Sequence, residues 1–187
     1  MLSLRLRASA LDALGLADVV ISTNWAWKWY EEIIHYQVSY DPTPCLGWRP
    51  AHVKLLTPVR PKATMAVLER AHVYCFFPAC DYGEIAQGKP LPCSRNSGYA
   101  ALAFAAYAGC ATIRVLGMDF GPQRGRDAQP ERMHFYHEGK TDVDRRVKSF
   151  GRQRERVQGD LSKLLAAVRA TGAKVENLSP HSELSWE

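Results

Sequence analysis

A chain of 187 residues that is 47% hydrophobic and 23% charged carries enough apolar side chain to bury one core and is short for two, so a single folded domain spanning 1–187 is expected and disorder is not. The 24 Lys and Arg against 19 Asp and Glu leave a formal net charge of +5, which favours anionic partners without choosing among nucleotides, nucleic acid and membrane surface. No apolar run approaches the roughly 20 residues a membrane span needs and nothing resembles a secretory signal, so a soluble chain in a reducing cytoplasm is expected.

The first strand expected is Asp18–Ser22 (DVVIS), a short β-branched run. It leads to Asn24, which offers donors and acceptors to a base or ribose. Trp25, Trp27, Trp29 and Tyr30 follow, and they either stack on a ring or pack in the core. Further strands are expected at His35–Tyr40, Val53–Thr57 and His72–Phe77. The stretch from Pro78 to Arg95 reads as a long polar loop after a strand end, where open α/β sheets carry ligand loops.

Ser97–Gly109 (SGYAALAFAAYAG) is rich in alanine, starts at a Ser suited to capping and stops at Gly, so a helix packed closely on a sheet is expected. Its start, Asn96-Ser97-Gly98, has two readings. Unsatisfied N–H groups and the positive end of the helix dipole suit phosphate or carboxylate, with Gly98 admitting a ligand close to the backbone. Alternatively, Asn96 or Ser97 simply caps the helix.

Ala111–Gly117 reads as a strand running into Met118 and Asp119. Asp119 can accept from a sugar hydroxyl or base amino group, hold a metal, or cap a turn. A second long loop, Phe120–Thr141, contains His134, Tyr136 and His137. Imidazole titrates near neutral pH and a loop can close over substrate, which makes these residues candidates for proton transfer. The His-x-x-His spacing also permits metal binding, but no third ligand is evident, and an ordinary polar loop is the remaining reading.

Asp142–Ala170 places apolar residues at helical spacing, as a long amphipathic helix does, with Gly151 and Gly159 as the points where it would break. Its Arg145, Arg146, Lys148, Arg152, Arg154 and Arg156 form either a solvated face or an anion-binding patch. Ala173–Leu178 is the last expected strand, after a helix stop at Thr171-Gly172. The five cysteines lack the paired short spacings of a zinc site. Cys75 and Cys110 lie in apolar runs where a thiol packs as a small hydrophobe, and no metal site is expected. Short apolar runs alternating with amphipathic segments make an α/β fold with a mostly parallel sheet the expected class, with ligand at the strand C-terminal ends.

Several segments also carry a resemblance. Asp18–Trp27 (DVVISTNWAW), Tyr40-Asp41-Pro42, Asn96–Asp119, His134-Phe135-Tyr136 and Glu176–Pro180 (ENLSP) occur in an order that resembles the 6-hydroxymethylpterin diphosphokinase-like proteins, often encoded by phages and some labelled norphogenetic. The order covers most of the chain and is similar in plan to the bacterial sialyltransferases of glycosyltransferase family 42. The resemblance implies a Rossmann-like three-layer nucleotide fold and a transferase that uses a nucleotide-activated donor such as a nucleotide sugar. In the sialyltransferases an Asn after an early strand, a polar residue beside the next strand's Pro and a Ser-Gly helix start hold the nucleotide. Those roles fall here on Asn24, Asp41 and Ser97 with Gly98, beside Asn96. The resemblance also implies that Tyr136 steadies the donor phosphate and that His134 or His137 is the base. No metal is required for that reaction.

The pterin-kinase side of the resemblance implies a different reaction, ATP-dependent diphosphate transfer, in which Asp119 and Asp41 hold Mg²⁺ between phosphates. A third expectation is a non-catalytic phage protein that binds a nucleotide in the host cytoplasm. One departure favours it: the family's opening strand and Gly-x-Gly-Pro-Ser-like turn have no counterpart in Met1–Leu6. Nucleic-acid binding rests on the basic 145–156 stretch alone and is not expected.

Overall fold

Among the described residues, short β-branched runs settle into short strands, and the alanine-rich and long amphipathic segments into two α-helices. The computed structural model describes residues 17–24, 26, 31–40, 54–58, 73–76, 78–79, 82–93, 96–118, 123–124, 130–132, 143–179, 182 and 184–187. The chain mixes helices with small, largely parallel sheets. Its contacts divide it into two compact units, Met1–Ala108 and Gly109–Glu187.

The first unit holds β1 (Ile21–Thr23), a 3₁₀ turn (Glu31–Ile33), β2 (Tyr36–Val38), β3 (Lys54–Pro58) and β4 (Val73–Phe76). They form one sheet in the order β1-β2-β3-β4, every neighbouring pair parallel. Each lies inside or within a residue of a run expected to be a strand. β1 starts at Ile21 rather than Asp18 for a local reason. The Val20 N–H donates to His35 Nδ1 at 3.1 Å, and the Val20 carbonyl accepts from the N–H groups of His35 and Tyr36. Val20 is thereby taken up by the residue that opens β2, and the regular ladder begins one residue later.

The stretch expected as a loop from Pro78 to Arg95 contains two further strands, β5 (Pro78–Ala79) and β6 (Leu91–Pro92), paired in parallel. Strands of two residues are too short to show alternation, and proline argues against them in sequence. The helix α1 (Ser97–Tyr107) follows. Its cap is Asn96, not the Ser97 favoured by the sequence: Asn96 Oδ1 accepts from the N–H groups of Gly98 and Tyr99 at 2.8 and 3.2 Å. α1 packs on β1, β2 and β6. Ala100, Ala103, Ala105 and Ala106 are buried along it, together with Tyr99 and Leu102. Methyl-sized side chains let its backbone approach the sheet closely, and burial around most of its circumference explains why it has no polar stripe. The Phe104 ring lies 5.1 Å from that of Tyr36 on β2.

The second unit opens with β7 (Thr112–Val115), continues through the antiparallel pair β8 (Gln123–Arg124) and β9 (Pro130–Arg132), and closes with α2 (Val143–Ala170) and β10 (Lys174–Asn177). β10 pairs with β7 in parallel, so β7, α2 and β10 make a crossover in which α2 packs on β10 and β9. α2 runs unbroken through Gly151 and Gly159. A glycine inside a helix costs about 1 kcal/mol relative to alanine, less than the gain from burying even one leucine. Leu161, Leu164, Leu165 and Val168 are all fully buried on one face. The helix ends where Gly172, at φ 88, turns the chain into a left-handed conformation.

The last residues lie against α2. The Gln158 side-chain amide bonds both main-chain groups of Ser185, donating to its carbonyl at 3.0 Å and accepting from its N–H at 2.8 Å. Arg169, eleven residues along the same helix face, donates to the Trp186 carbonyl at 2.6 Å. Leu184, just before the two clasped residues, is buried, and the Trp186 indole donates to Ser182 Oγ. No helix among the described residues is long and apolar enough to cross a membrane.

Candidate functional site

Parallel strands leave all their C-terminal ends on one edge, where backbone carbonyls and turning loops meet ligands. In the first unit that edge gathers Asn24, Ser39, Tyr40 and the start of α1. Thr23 on β1 is in register with Val38 on β2, which is in turn in register with Leu56 on β3. Asn24 therefore stands one residue past β1, beside the end of β2. At the end of β2, the Tyr40 N–H donates to Ser97 Oγ at 2.8 Å. One hydroxyl thus ties the first residue of α1 to the loop leaving β2, and Ser97 is buried as a result.

The backbone of Asn24 is left-handed, with φ 51. Its carbonyl accepts from Gln37 Nε2 at 2.7 Å, and Gln37 Oε1 accepts from the Ser22 hydroxyl. Gln37 has no solvent exposure. The Asn24 side chain is partly exposed, and among the described residues nothing bonds its amide. It therefore presents two donors and an acceptor at the strand edge.

Three of the donors at the start of α1, the N–H groups of Gly98, Tyr99 and Ala100, are taken by Asn96. Asn96 Oδ1 takes those of Gly98 and Tyr99, and the Asn96 carbonyl takes that of Ala100. Asn96 therefore caps the helix, one of the two readings of this segment. The Thr23, Asn24, Val38 and Leu56 carbonyls are bonded within the protein and Ser97 is buried, which leaves the partly exposed Asn24 amide as the neutral polar group at the edge. Such groups suit base edges, ribose hydroxyls and other neutral polar ligands better than a bare anion.

In the second unit, the expected strand end at Gly117 is held by Ser179. The Gly117 N–H donates to Ser179 Oγ at 2.7 Å, and Gly117 itself has φ 77. Asn177 Oδ1 accepts from the Ser179 N–H at 3.0 Å, folding Asn177-Leu178-Ser179 into a side-chain-closed turn. The Met118 carbonyl accepts from Ser182 Oγ at 3.4 Å. On the strands behind this turn, Glu176 bridges Arg114 at 3.1 Å and Lys174 at 2.7 Å. The Lys174 ammonium first, then the Arg114 guanidinium, holds the Glu176 carboxyl below its ordinary range.

A hollow of about 240 Å³ in the first unit is lined by Glu32, Ile33, Ile34, His35, Tyr36 and Lys54. It sits where β2 and β3 begin, at the end of the sheet opposite the strand C-termini. Ligand pockets usually enclose about 300–1,000 Å³, and Lys54 Nζ already lies 5.5 Å from the centre of the Tyr36 ring. It is a weaker candidate than the Asn24 edge.

Of the candidate residues read from sequence, Asn24, Asn96, Ser97 and Gly98 are brought to one edge. Asp41, Asp119, His134, Tyr136 and His137 lie outside the described residues, as do Trp25, Trp27, Trp29 and Tyr30. Of the basic stretch in α2, the Arg156 side chain is described, and it is exposed. Cys93 is buried and Cys110 half-buried; the side chain of Cys75 lies outside the described residues. No group of three or more metal-ligating side chains occurs among the described residues. The residue that sequence reading missed is Gln37. Its signal is a polar side chain in the middle of a short strand, where the alternation of Tyr36-Gln37-Val38 offers no reason for an amide. No protein-family model, curated protein or solved structure matches the chain.

Proposed function

We propose that the chain is a glycosyltransferase-like transferase that binds a nucleotide-activated donor at the C-terminal edge of the sheet β1–β4, within a Rossmann-like three-layer fold. The observation that carries the reading is the partly exposed Asn24 side chain beside the end of β2, near where Ser97 seats the start of α1. Neutral hydrogen-bonding groups at parallel strand ends match the base and ribose of a nucleotide. The net charge of +5 favours an anionic ligand in general. Because Asn96 occupies three of the α1 donors, the base and sugar are assigned to this edge and the phosphates to groups beyond it.

Asp41, next in sequence to Tyr40, and Asp119, next to Met118, are the further nucleotide-contact residues of this reading. His134 or His137 removes the proton from the acceptor hydroxyl, whose oxygen attacks the sugar's anomeric carbon. The new C–O bond forms as the bond from that carbon to the phosphate oxygen breaks, and the nucleotide leaves with the electron pair. Tyr136 donates to that phosphate. No metal takes part.

The test is a panel of nucleotide sugars. Binding is read by thermal shift and turnover by release of the free nucleotide. A donor-specific shift with slow hydrolysis is expected. Absence of both across the panel overturns the proposal, and magnesium-dependent consumption of ATP replaces it with diphosphate transfer.

A further inference from the structure

We infer that Gln37 is a positioning residue for Asn24, fixing the corner from which the Asn24 amide meets the nucleotide; this rests on the function proposed above. Asn24 is the one non-glycine with positive φ among the described residues. Asn enters the left-handed region more readily than other side chains, yet a corner of this kind persists only where its surroundings over-determine it. Here they do so through one buried chain. The Ser22 hydroxyl bonds Gln37 Oε1, and Gln37 Nε2 bonds the Asn24 carbonyl at 2.7 Å.

The orientation of the Gln37 amide is forced by its partners. A backbone carbonyl can only accept, so the NH₂ group faces Asn24 and the oxygen faces Ser22, whose hydroxyl then donates. A second bond to the corner, from the Asn24 N–H to the Val38 carbonyl, is long at 3.4 Å. The shorter hold on the left-handed peptide therefore comes from a side chain with no solvent exposure. Gln37 cannot touch the ligand itself. It acts by deciding which way the Asn24 peptide, and with it the Asn24 side chain, leaves β1.

The experiment is a double-mutant cycle with Gln37→Met and Asn24→Gly, reading affinity for CMP, UMP, AMP, GMP and their diphosphates by calorimetry alongside melting temperature. Glycine takes the left-handed conformation freely and lacks the amide, so it abolishes both the need for Gln37 and the group Gln37 presents. Gln37→Met is expected to weaken nucleotide binding about tenfold in the wild-type background and less than about twofold in the Asn24→Gly background. An equal loss in both backgrounds, or no loss in a folded Gln37→Met protein, overturns the inference. If Gln37→Met does not fold, Ser22→Ala, which removes only the hydroxyl that orients the Gln37 amide, carries the same cycle with the same criteria. If the wild type binds none of these nucleotides, the proposed function fails, and melting temperature alone decides the Gln37–Asn24 link. The link is upheld when the fall of roughly 3–8 °C caused by Gln37→Met shrinks in the Asn24→Gly background, and overturned when it does not.

Discussion

Ser97 Oγ accepts the backbone N–H of Tyr40 at 2.8 Å, a bond between residues 57 positions apart. It joins the first residue of a helix to the loop leaving a strand, and it is buried. The same hydroxyl thus closes the loop at the C-terminal edge of the sheet, the edge to which the proposal assigns the nucleotide.

Replacing Ser97 with Ala removes the acceptor of the Tyr40 N–H inside the protein. A loss of about 1–2 kcal/mol in unfolding free energy is expected, the usual cost of leaving a buried donor without its partner. Urea unfolding followed by circular dichroism measures it. A variant as stable as the wild type would mean that the Tyr40 loop is held by other groups.

Asn96 tests the division of labour at the start of α1. Asn96→Ala should cost about 1 kcal/mol through loss of the cap, whereas Asn96→Asp keeps the cap and gains about 0.3–1 kcal/mol from the helix dipole. The same Asp should weaken nucleotide binding, because it brings a negative charge towards the phosphates. Thermal denaturation with and without nucleotide separates the two effects. If the Asp variant binds nucleotide as tightly as the wild type, the phosphates lie away from the start of α1.

The alanines of α1 are there for want of space. Ala103 has no solvent exposure, and Ala103→Leu is expected to destabilise the protein by about 1–3 kcal/mol through overpacking. The lower urea midpoint should be accompanied by a changed environment for the Tyr36 and Phe104 rings, visible in near-ultraviolet circular dichroism. An unchanged midpoint would show that the surroundings of Ala103 have room for the larger side chain.

Glu176 supplies a pH prediction. Lys174, and after it Arg114, holds its carboxyl below the ordinary value of 4.5. The charged form is therefore favoured by folding. Its contribution is complete above pH 4.5 and is lost as pH falls through the lowered folded value. Being at the surface, the effect is small and screened by salt. Urea midpoints between pH 7 and pH 3 should fall less steeply below pH 4.5 for Glu176→Gln than for the wild type. Identical slopes at low salt would show that the two ion pairs contribute nothing in solution.

The strands and helices were legible wherever a segment was long enough to display its period. The run at Thr112–Val115 alternates exposed and buried residues in the structure, and α1 and α2 lie where alanine content and helical spacing put them. The two-residue strands β5 and β6 were not legible, since they form through pairing with each other rather than through local preference. Gly151 and Gly159 misled for a related reason: they are weak breakers set against a helix whose buried leucines lie further along. At the site, Asn24 and the Asn96–Gly98 start stood out as polar residues at strand and helix ends. Which of Asn96 and Ser97 capped the helix depended on Tyr40, a partner far away in sequence that claimed the Ser97 hydroxyl. Gln37 was invisible for the same reason, because its meaning lies in the partners that meet it from β1.

Gln158 and Arg169 hold the final residues of the chain by their main-chain atoms. Peptide groups are common to every amino acid. The course of this segment is thus written largely in the helix it follows, and the Ser185 side chain adds only a long bond at 3.5 Å from the Glu187 N–H. Leu184 and Trp186 are different, since one fills space and the other donates through its ring. Sequence drift along this segment should therefore fall unevenly, free at the clasped peptide and restrained at the side chains on either side of it.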